Sequence, residues 1–94
     1  MSQLPPAELL EATHQFPCRY TFKAIGHNSD DFEKRAVHAV REVLELAGEL
    51  EATSRHTENG QHVAVTIVLD VDTAEQVLQV YSRLHRLEGL KLLL

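Results

Sequence analysis

The pair Asn59-Gly60 lies between two segments with the alternating pattern of β-strands, and it constrains the fold more than any other feature of the sequence. A two-residue type I′ turn needs positive φ at both positions, which asparagine and glycine tolerate best. We therefore predict an antiparallel hairpin between a weaker strand over residues 49–57 and a stronger one over residues 61–70. The turn fixes the register of the pairs Thr57–His62, Arg55–Ala64 and Thr53–Thr66.

A helical pattern precedes this hairpin. Ser29 or Asp30 is suited to cap the first turn, and Glu33 lies three residues after Asp30 to complete a capping box. The helix is expected to end near Gly48, because glycine readily adopts the left-handed C-terminal cap. Its apolar residues recur at spacings of three and four and form one stripe, as in an amphipathic helix: Phe32, Ala36, Val40, Val43, Leu44 and Ala47.

A second helical pattern follows the hairpin. Asp72 or Thr73 begins it, and Gln76 completes a capping box with Thr73. Gly89 closes this part of the chain before the final Leu-rich segment. The apolar stripe of this helix consists of Ala74, Val77, Leu78, Tyr81 and Leu84.

Two further strands are predicted outside these helices. Residues 18–25 alternate and place Tyr20, Phe22 and Ala24 on one face. Residues 90–94 form a last strand, whose apolar edge would be covered by the N-terminal segment or by a partner. Residues 1–15 are predicted to be an N-terminal extension containing a short helix after two prolines, and residues 16–94 the domain proper.

The order strand, helix, strand, strand, helix, strand predicts the α+β class. Two interleaved βαβ units joined by a hairpin form the ferredoxin-like βαββαβ fold, with a four-stranded antiparallel sheet. Each helix has one apolar stripe, so both helices should cover the same face of the sheet. The opposite face, called the open face below, would carry Arg19, Thr21, Lys23, Arg55, His62, Ala64, Thr66 and Val68.

Composition excludes several classes of function. The 94 residues contain 14 Asp and Glu against 9 Lys and Arg, giving a net charge of −5, whereas general nucleic-acid binding depends on clustered positive charge. The open face also lacks the aromatic residues with which RNA-recognition motifs stack bases. The single cysteine and the absence of a signal peptide or a ~20-residue apolar run predict a cytoplasmic protein that neither inserts into membranes nor forms a disulfide scaffold.

Chemistry-bearing residues are present but do not form an active site. The six histidines include no HxH or HExxH motif, and the predicted register points His56 and His62 to opposite sides of the sheet, so we expect no metal ion and no cofactor. Cys18 is expected to be a plain, partly buried thiol. Asp70 and Asp72 could bind a cation, although helix capping explains them more simply. We predict no catalytic residue and no enzyme activity.

Several short motifs resemble the YbeD family of small bacterial proteins. Phe16-Pro17 is followed by Tyr20-x-Phe22-Lys23-Ala24-Ile25-Gly26, where that family has Phe-Pro before an aromatic strand ending in Lys-Val-Met-Gly. The hairpin residues Ser54-Arg55 and Val63-x-Val65-Thr66 and the later Tyr81-x-x-Leu84 are also similar, so the resemblance covers roughly residues 9–94. It implies a fold like that of the ACT regulatory domains of amino-acid metabolism, and it transfers no catalytic residue.

The resemblance directs attention to Gly26-His27-Asn28-Ser29, predicted to be the turn between the first strand and the first helix of the domain. ACT-like domains place amino-acid ligands near this junction, often across a dimer interface, and a helix N-terminus favours an anion. Gly26, His27 and Asn28 are therefore the candidate ligand contacts. The alternative is a turn with a helix cap and no ligand.

Two hypotheses about function follow. The first is a small regulatory or ligand-binding ACT-like module without catalysis, with a small-molecule effector and a homodimer as an option. The second is a protein-protein interaction module that acts through the open face or the Leu-rich edge strand. Neither nucleic acid nor a membrane is an expected partner.

Overall fold

The computed structural model describes residues 6–45 and 50–94. After a short N-terminal helix, their elements follow the predicted order βαββαβ. The four strands form one antiparallel sheet in the order β2-β3-β1-β4, which confirms the ferredoxin-like α+β fold. The elements are α1 (Ala7–Thr13), β1 (Cys18–His27), α2 (Phe32–Leu44), β2 (Glu51–His56), β3 (His62–Val71), α3 (Ala74–His85) and β4 (Leu90–Leu93).

The pairing of β1 with β3 forms the centre of the sheet and fixes its two faces. Ten residue pairs run from Cys18 opposite Val71 to His27 opposite His62. Since successive side chains alternate between the faces, the predicted inward residues of both strands face the core under α2 and α3, where all are buried except Tyr20, which is partly buried. The helical stripes are largely as predicted, although Val80 is fully buried while Leu78 is only partly buried.

The β2–β3 hairpin has the predicted register but not the predicted turn. Arg55 pairs with Ala64 and Thr53 with Thr66. Gly60 has φ 73°, whereas Asn59 is not among the described residues with positive φ, so the type I′ prediction is wrong. Since Thr57 N–H donates to His62 O and extends the pairing by one residue, the connection is a four-residue loop over residues 58–61. Gly60 N–H donates to the Thr57 carbonyl, and Asn59 Oδ1 accepts from Thr57 Oγ1. A four-residue loop and a two-residue loop with the same centre give the same register. The predicted residue pairs are therefore correct although the predicted turn type is wrong.

The helix ends show one confirmed and one failed cap. Thr73 Oγ1 accepts from the N–H of Gln76 at the start of α3, as predicted. At the start of α2 the N-cap is Asp31, which has φ 54° and makes no side-chain cap bond, so the predicted capping box with Glu33 is wrong. The helix ends at Leu44, and the predicted end near Gly48 lies outside the described residues.

Helix α1 packs against α3, with its Leu10 buried in the core. Strand β4 is one edge of the sheet and β2 is the other, as far as the described residues show. The division of the chain into an extension of residues 1–15 and a domain of residues 16–94 stays a prediction. No helix formed by residues 6–45 or 50–94 has both the length and the apolar character needed to cross a bilayer.

A partly buried tyrosine pair gives the fold a testable dependence on pH. The hydroxyls of Tyr20 and Tyr81 lie 3.1 Å apart, and burial, reinforced by this hydrogen bond, raises the pKa of Tyr81 above its ordinary value. The folded state therefore holds the Tyr81 proton more tightly than the unfolded state does. The protonated Tyr81 hydroxyl contributes its full stabilisation below the unfolded pKa of about 10, and this contribution falls as the pH rises above that value.

We expect the Tyr81→Phe variant to lose less free energy of unfolding than the wild type between about pH 8 and pH 11. At pH 8 the variant should lie within about 1 kcal/mol of the wild type, the usual net worth of one hydrogen bond. Urea denaturation at both pH values measures the difference, and equal losses in the two proteins would contradict the account.

Candidate ligand site at the junction of β1 and α2

Gly26 of β1 lies against the ring of Phe32, the first residue of α2. Strand β1 continues through it, because Gly26 pairs with Val63 and Leu90, so the predicted turn begins two residues too early. A Cβ atom at this position would lie 2.5 Å from the ring of Phe32 and 2.9 Å from the Gly89 carbonyl oxygen. Real Cβ atoms do not make such contacts, so glycine is required for packing, and its side-chain hydrogen offers a ligand no specific contact.

His27 and Asn28 attach the end of β1 to the rest of the molecule. The N–H of His27 donates to Gly89 O at 2.9 Å, and its ring stacks on the ring of His62 with centroids 5.3 Å apart. The N–H of Asn28 donates to Gln61 O at 2.9 Å and its Nδ2 donates to Gly60 O at 3.0 Å. The predicted contact residues thus join the sheet to the hairpin loop, and the His27 ring lies on the open face.

Arg35 holds the backbone that follows. Asp30 and Asp31 both have positive φ, a conformation that is costly outside glycine. Arg35 Nε donates to Asp30 O at 2.8 Å, and its Nη1 donates to the carbonyl of Glu88 at 3.1 Å. The guanidinium also lies 5.5 Å from the centroid of the Phe32 ring, within the range of a cation–π contact. One side chain therefore joins the start of α2 to the segment between α3 and β4.

A cavity of about 160 Å³ opens beside the first turn of α2. The first N–H groups of a helix have no intrahelical acceptor and attract an anion, and no side chain caps α2. Lys34 adds a positive charge to the lining, and Asp31 and Glu33 add carboxylates. The cavity thus offers both donors and acceptors. Its lining residues are Asn28, Asp31, Phe32, Glu33, Lys34, His56 and Val63.

Of the three predicted contact residues, only Asn28 lines this cavity. Its neighbours there, Phe32 at the helix start and His56 at the end of β2, were missed as site residues. They come from segments far apart in the chain, so only the pairing of His56 with Val63 reveals their proximity. Glu33, which also lines the cavity, was predicted only as the partner of Asp30 in a capping box.

The hairpin histidines, aspartates and cysteine considered for metal binding or catalysis lie apart from one another. His56 pairs with Val63 and His62 with His27, which puts the two histidines on opposite faces as expected. Asp70 contacts Arg19 at 3.4 Å, whereas Asp72 lies before α3 and its N–H donates to Gln76 Oε1. Cys18 is partly buried. Within residues 6–45 and 50–94 no three His, Cys, Asp or Glu side chains are grouped so that they could hold a metal ion.

Sequence comparison matches residues 11–94 to the family described as "Protein of unknown function (DUF493)". A UPF0250 protein of Shewanella sediminis is 31% identical over 77 residues, which cover 82% of this chain and 85% of that protein. A UPF0250 protein of Haemophilus ducreyi is 26% identical over 94 residues, which cover 100% of this chain and 94% of that protein.

Structure comparison supports the same fold. The solution structure of protein HP0495 from H. pylori has a TM-score of 0.67 and 12% identity, with 99% of this chain and 98% of that chain covered. The ACT domain from GTP pyrophosphokinase of Chlorobium tepidum has a TM-score of 0.62 and 6% identity, with 81% of this chain and 94% of that domain covered. At these identities the likeness extends to the fold alone.

We predict that Gly26→Ala destabilises the protein by about 1–3 kcal/mol, the usual cost of overpacking a filled core. The added methyl group must displace the Phe32 ring or the Gly89 carbonyl. Adding Phe32→Leu to Gly26→Ala makes room beside the methyl group. The double variant should therefore lose less free energy of unfolding than the two single variants lose in sum. Urea midpoints measure all three variants, and strictly additive losses would contradict the proposed close approach.

Proposed function

Because the chain belongs to the DUF493 family, the YbeD family of the sequence analysis, we propose that it is a small regulatory or ligand-binding module of ACT-like kind. We also propose that the protein has no catalytic activity and is located in the cytoplasm. The relatives are named only as UPF0250 proteins, so their names assign no reaction. The likeness in fold to the ACT domain from a GTP pyrophosphokinase supports a module of ACT-like kind.

The cavity at the start of α2 is the observation that carries this proposal. The uncapped helix N-terminus and Lys34 suit a carboxylate, and Asp31 and Glu33 suit an ammonium group. A free amino acid or a closely related metabolite carries both groups. A cavity of about 160 Å³ accommodates the backbone part of such a molecule and a small side chain. We propose this class of ligand, with Asn28 among its contacts and His27 and Gly26 positioning the junction.

An apolar strip at the β4 edge favours a second candidate function, a protein-protein interaction module. Leu92 is 49% exposed and Leu94 is 58% exposed, and both lie on the open face, Leu92 opposite Ile25 and Leu94 opposite Lys23. Exposed leucines that lie together are more informative than scattered ones, because such patches mark contact surfaces. A homodimer or a different protein partner would cover them.

A thermal-shift screen of the twenty amino acids and their simple derivatives tests the first candidate. A ligand at ten times its Kd stabilises by about 1.4 kcal/mol, which raises Tm by roughly 6–11 °C in a domain of this size. Lys34→Gln should weaken binding, since it removes a cation from the cavity, whereas Lys91→Gln on the exposed edge strand is the matched control. No Tm shift with any compound, or equal shifts in both variants, would argue against the proposed site.

A further inference from the structure

The open face carries two cations that have no partner among the described residues. Arg19 is already neutralised, because its Nη2 lies 2.7 Å from Glu51 Oε1 and its Nη1 lies 3.4 Å from Asp70 Oδ1, and these contacts raise the pKa of the guanidinium above its usual value. Lys23 and Arg55 form no ion pair or side-chain hydrogen bond within residues 6–45 and 50–94. This face therefore has unpaired positive charge in a protein whose net charge is −5.

These two cations border one depression. Ala64 and Thr66 of β3 form its floor, because Ala64 pairs with Arg55 and Thr66 pairs with Lys23. Short side chains in the middle strand leave a cavity of about 390 Å³ between the two long ones. Thr53, opposite Thr66, also lines it, so two hydroxyl groups lie within the depression. Two cations and two hydroxyls around a shallow floor are suited to an anionic group.

The depression continues directly into the apolar strip. One row across the sheet is Arg55, Ala64, Ile25 and Leu92, and the next is Thr53, Thr66, Lys23 and Leu94. Charge and apolar surface thus lie side by side within the width of four strands, about 14 Å. A free phosphate or a small carboxylate would use the cations and leave the leucines exposed, whereas a peptide segment with both acidic and apolar side chains would cover both.

Two other occupants fit less well. A nucleic acid would need exposed aromatic rings for base stacking. The described residues of this face include no Phe, Tyr or Trp, and its His27 and His62 rings are stacked on each other. A second copy of the chain stacked face to face about a two-fold axis through the depression would bring the same cations together, because such an interface pairs each patch with itself. Like charges that face each other are destabilising.

We propose that the open face docks an acidic segment of a partner protein, whose carboxylates bind at Lys23 and Arg55 and whose apolar side chains pack on Ile25, Leu92 and Leu94. This inference rests on the second candidate function and is independent of the ligand cavity at the start of α2. Such a segment matches the open face in both charge and apolar surface. The segment would lie on this face as α2 and α3 lie on the other.

A titration followed by amide NMR signals tests this proposal with defined probes. One synthetic peptide carries Leu at helical spacing and Glu elsewhere, a second has Lys in place of Glu, and a third has Ser in place of Leu. We expect the Leu/Glu peptide to shift the signals of Lys23, Ile25, Arg55, Ala64 and Leu92. The Leu/Lys and Ser/Glu peptides should bind at least tenfold more weakly.

Two charge reversals serve as a matched pair in the same titration. Arg55→Glu should weaken binding of the Leu/Glu peptide at least tenfold, while Arg86→Glu, an exposed arginine on the helical side, should leave it unchanged. Both substitutions are on the surface, and signal dispersion reports that each variant is folded. The proposal is overturned by absent shifts on this face, by equal binding of the Leu/Glu and Leu/Lys peptides, or by equal effects of the two reversals. Shifts at Asn28 and Lys34 instead would place the peptide in the ligand cavity.

Discussion

The close contact between the Phe32 ring and the backbone of Gly26 is the constraint on which the rest of the junction depends. Without a Cβ atom at Gly26 the ring can lie against the strand, which lets β1 continue to His27 while α2 starts only a few residues later. The short connection then needs two residues with positive φ, Asp30 and Asp31. Their unfavourable backbone conformation is offset by Arg35, whose guanidinium binds the surrounding carbonyl groups.

Local signals in the sequence predicted most of the fold. Alternation identified the inward faces of β1 and β3, and Thr73 with Gln76 identified the start of α3. These signals failed where the role of a residue depends on a contact with residues outside its own local pattern. Gly26 was interpreted as part of a turn, although its missing side chain makes room for Phe32. Asn59 was expected to adopt positive φ, but its side chain accepts hydrogen bonds from Thr57 and Gln61 within a longer loop.

The sequence directed attention to the junction where the cavity opens but, apart from Asn28, not to the residues that line it, and ligand binding there stays a prediction. The junction of the first strand and the following helix was identified by resemblance, and the cavity does open there. Its lining also includes His56, which reaches the junction through the β2–β3 pairing. Likewise, Lys23 and Arg55 lie near each other because β1 and β2 both pair with β3. Their distance apart in the sequence conceals this proximity.

The structure divides the molecule into two chemically distinct surfaces. The cavity at the start of α2 combines carboxylates with positive groups and is small, whereas the open face is broad and combines unpaired cations with exposed leucines. The stacked rings of His27 and His62 lie at the end of β1, next to the row of Ile25 and Leu92 on that face. A ligand that alters the junction would therefore act on a residue adjacent to the open face.

Hydrogen exchange of individual amides measures most directly whether the junction is a rigid continuation of the sheet. The account predicts that the amides of His27 and Asn28, which donate to Gly89 O and Gln61 O, exchange as slowly as amides in the centre of β1. The amides of Glu33 and Lys34 in the uncapped first turn of α2 should exchange far faster, because they have no intrahelical acceptor. Rapid exchange of His27 and Asn28 in the native protein would contradict the account, since the junction would then be a mobile loop rather than a preformed site.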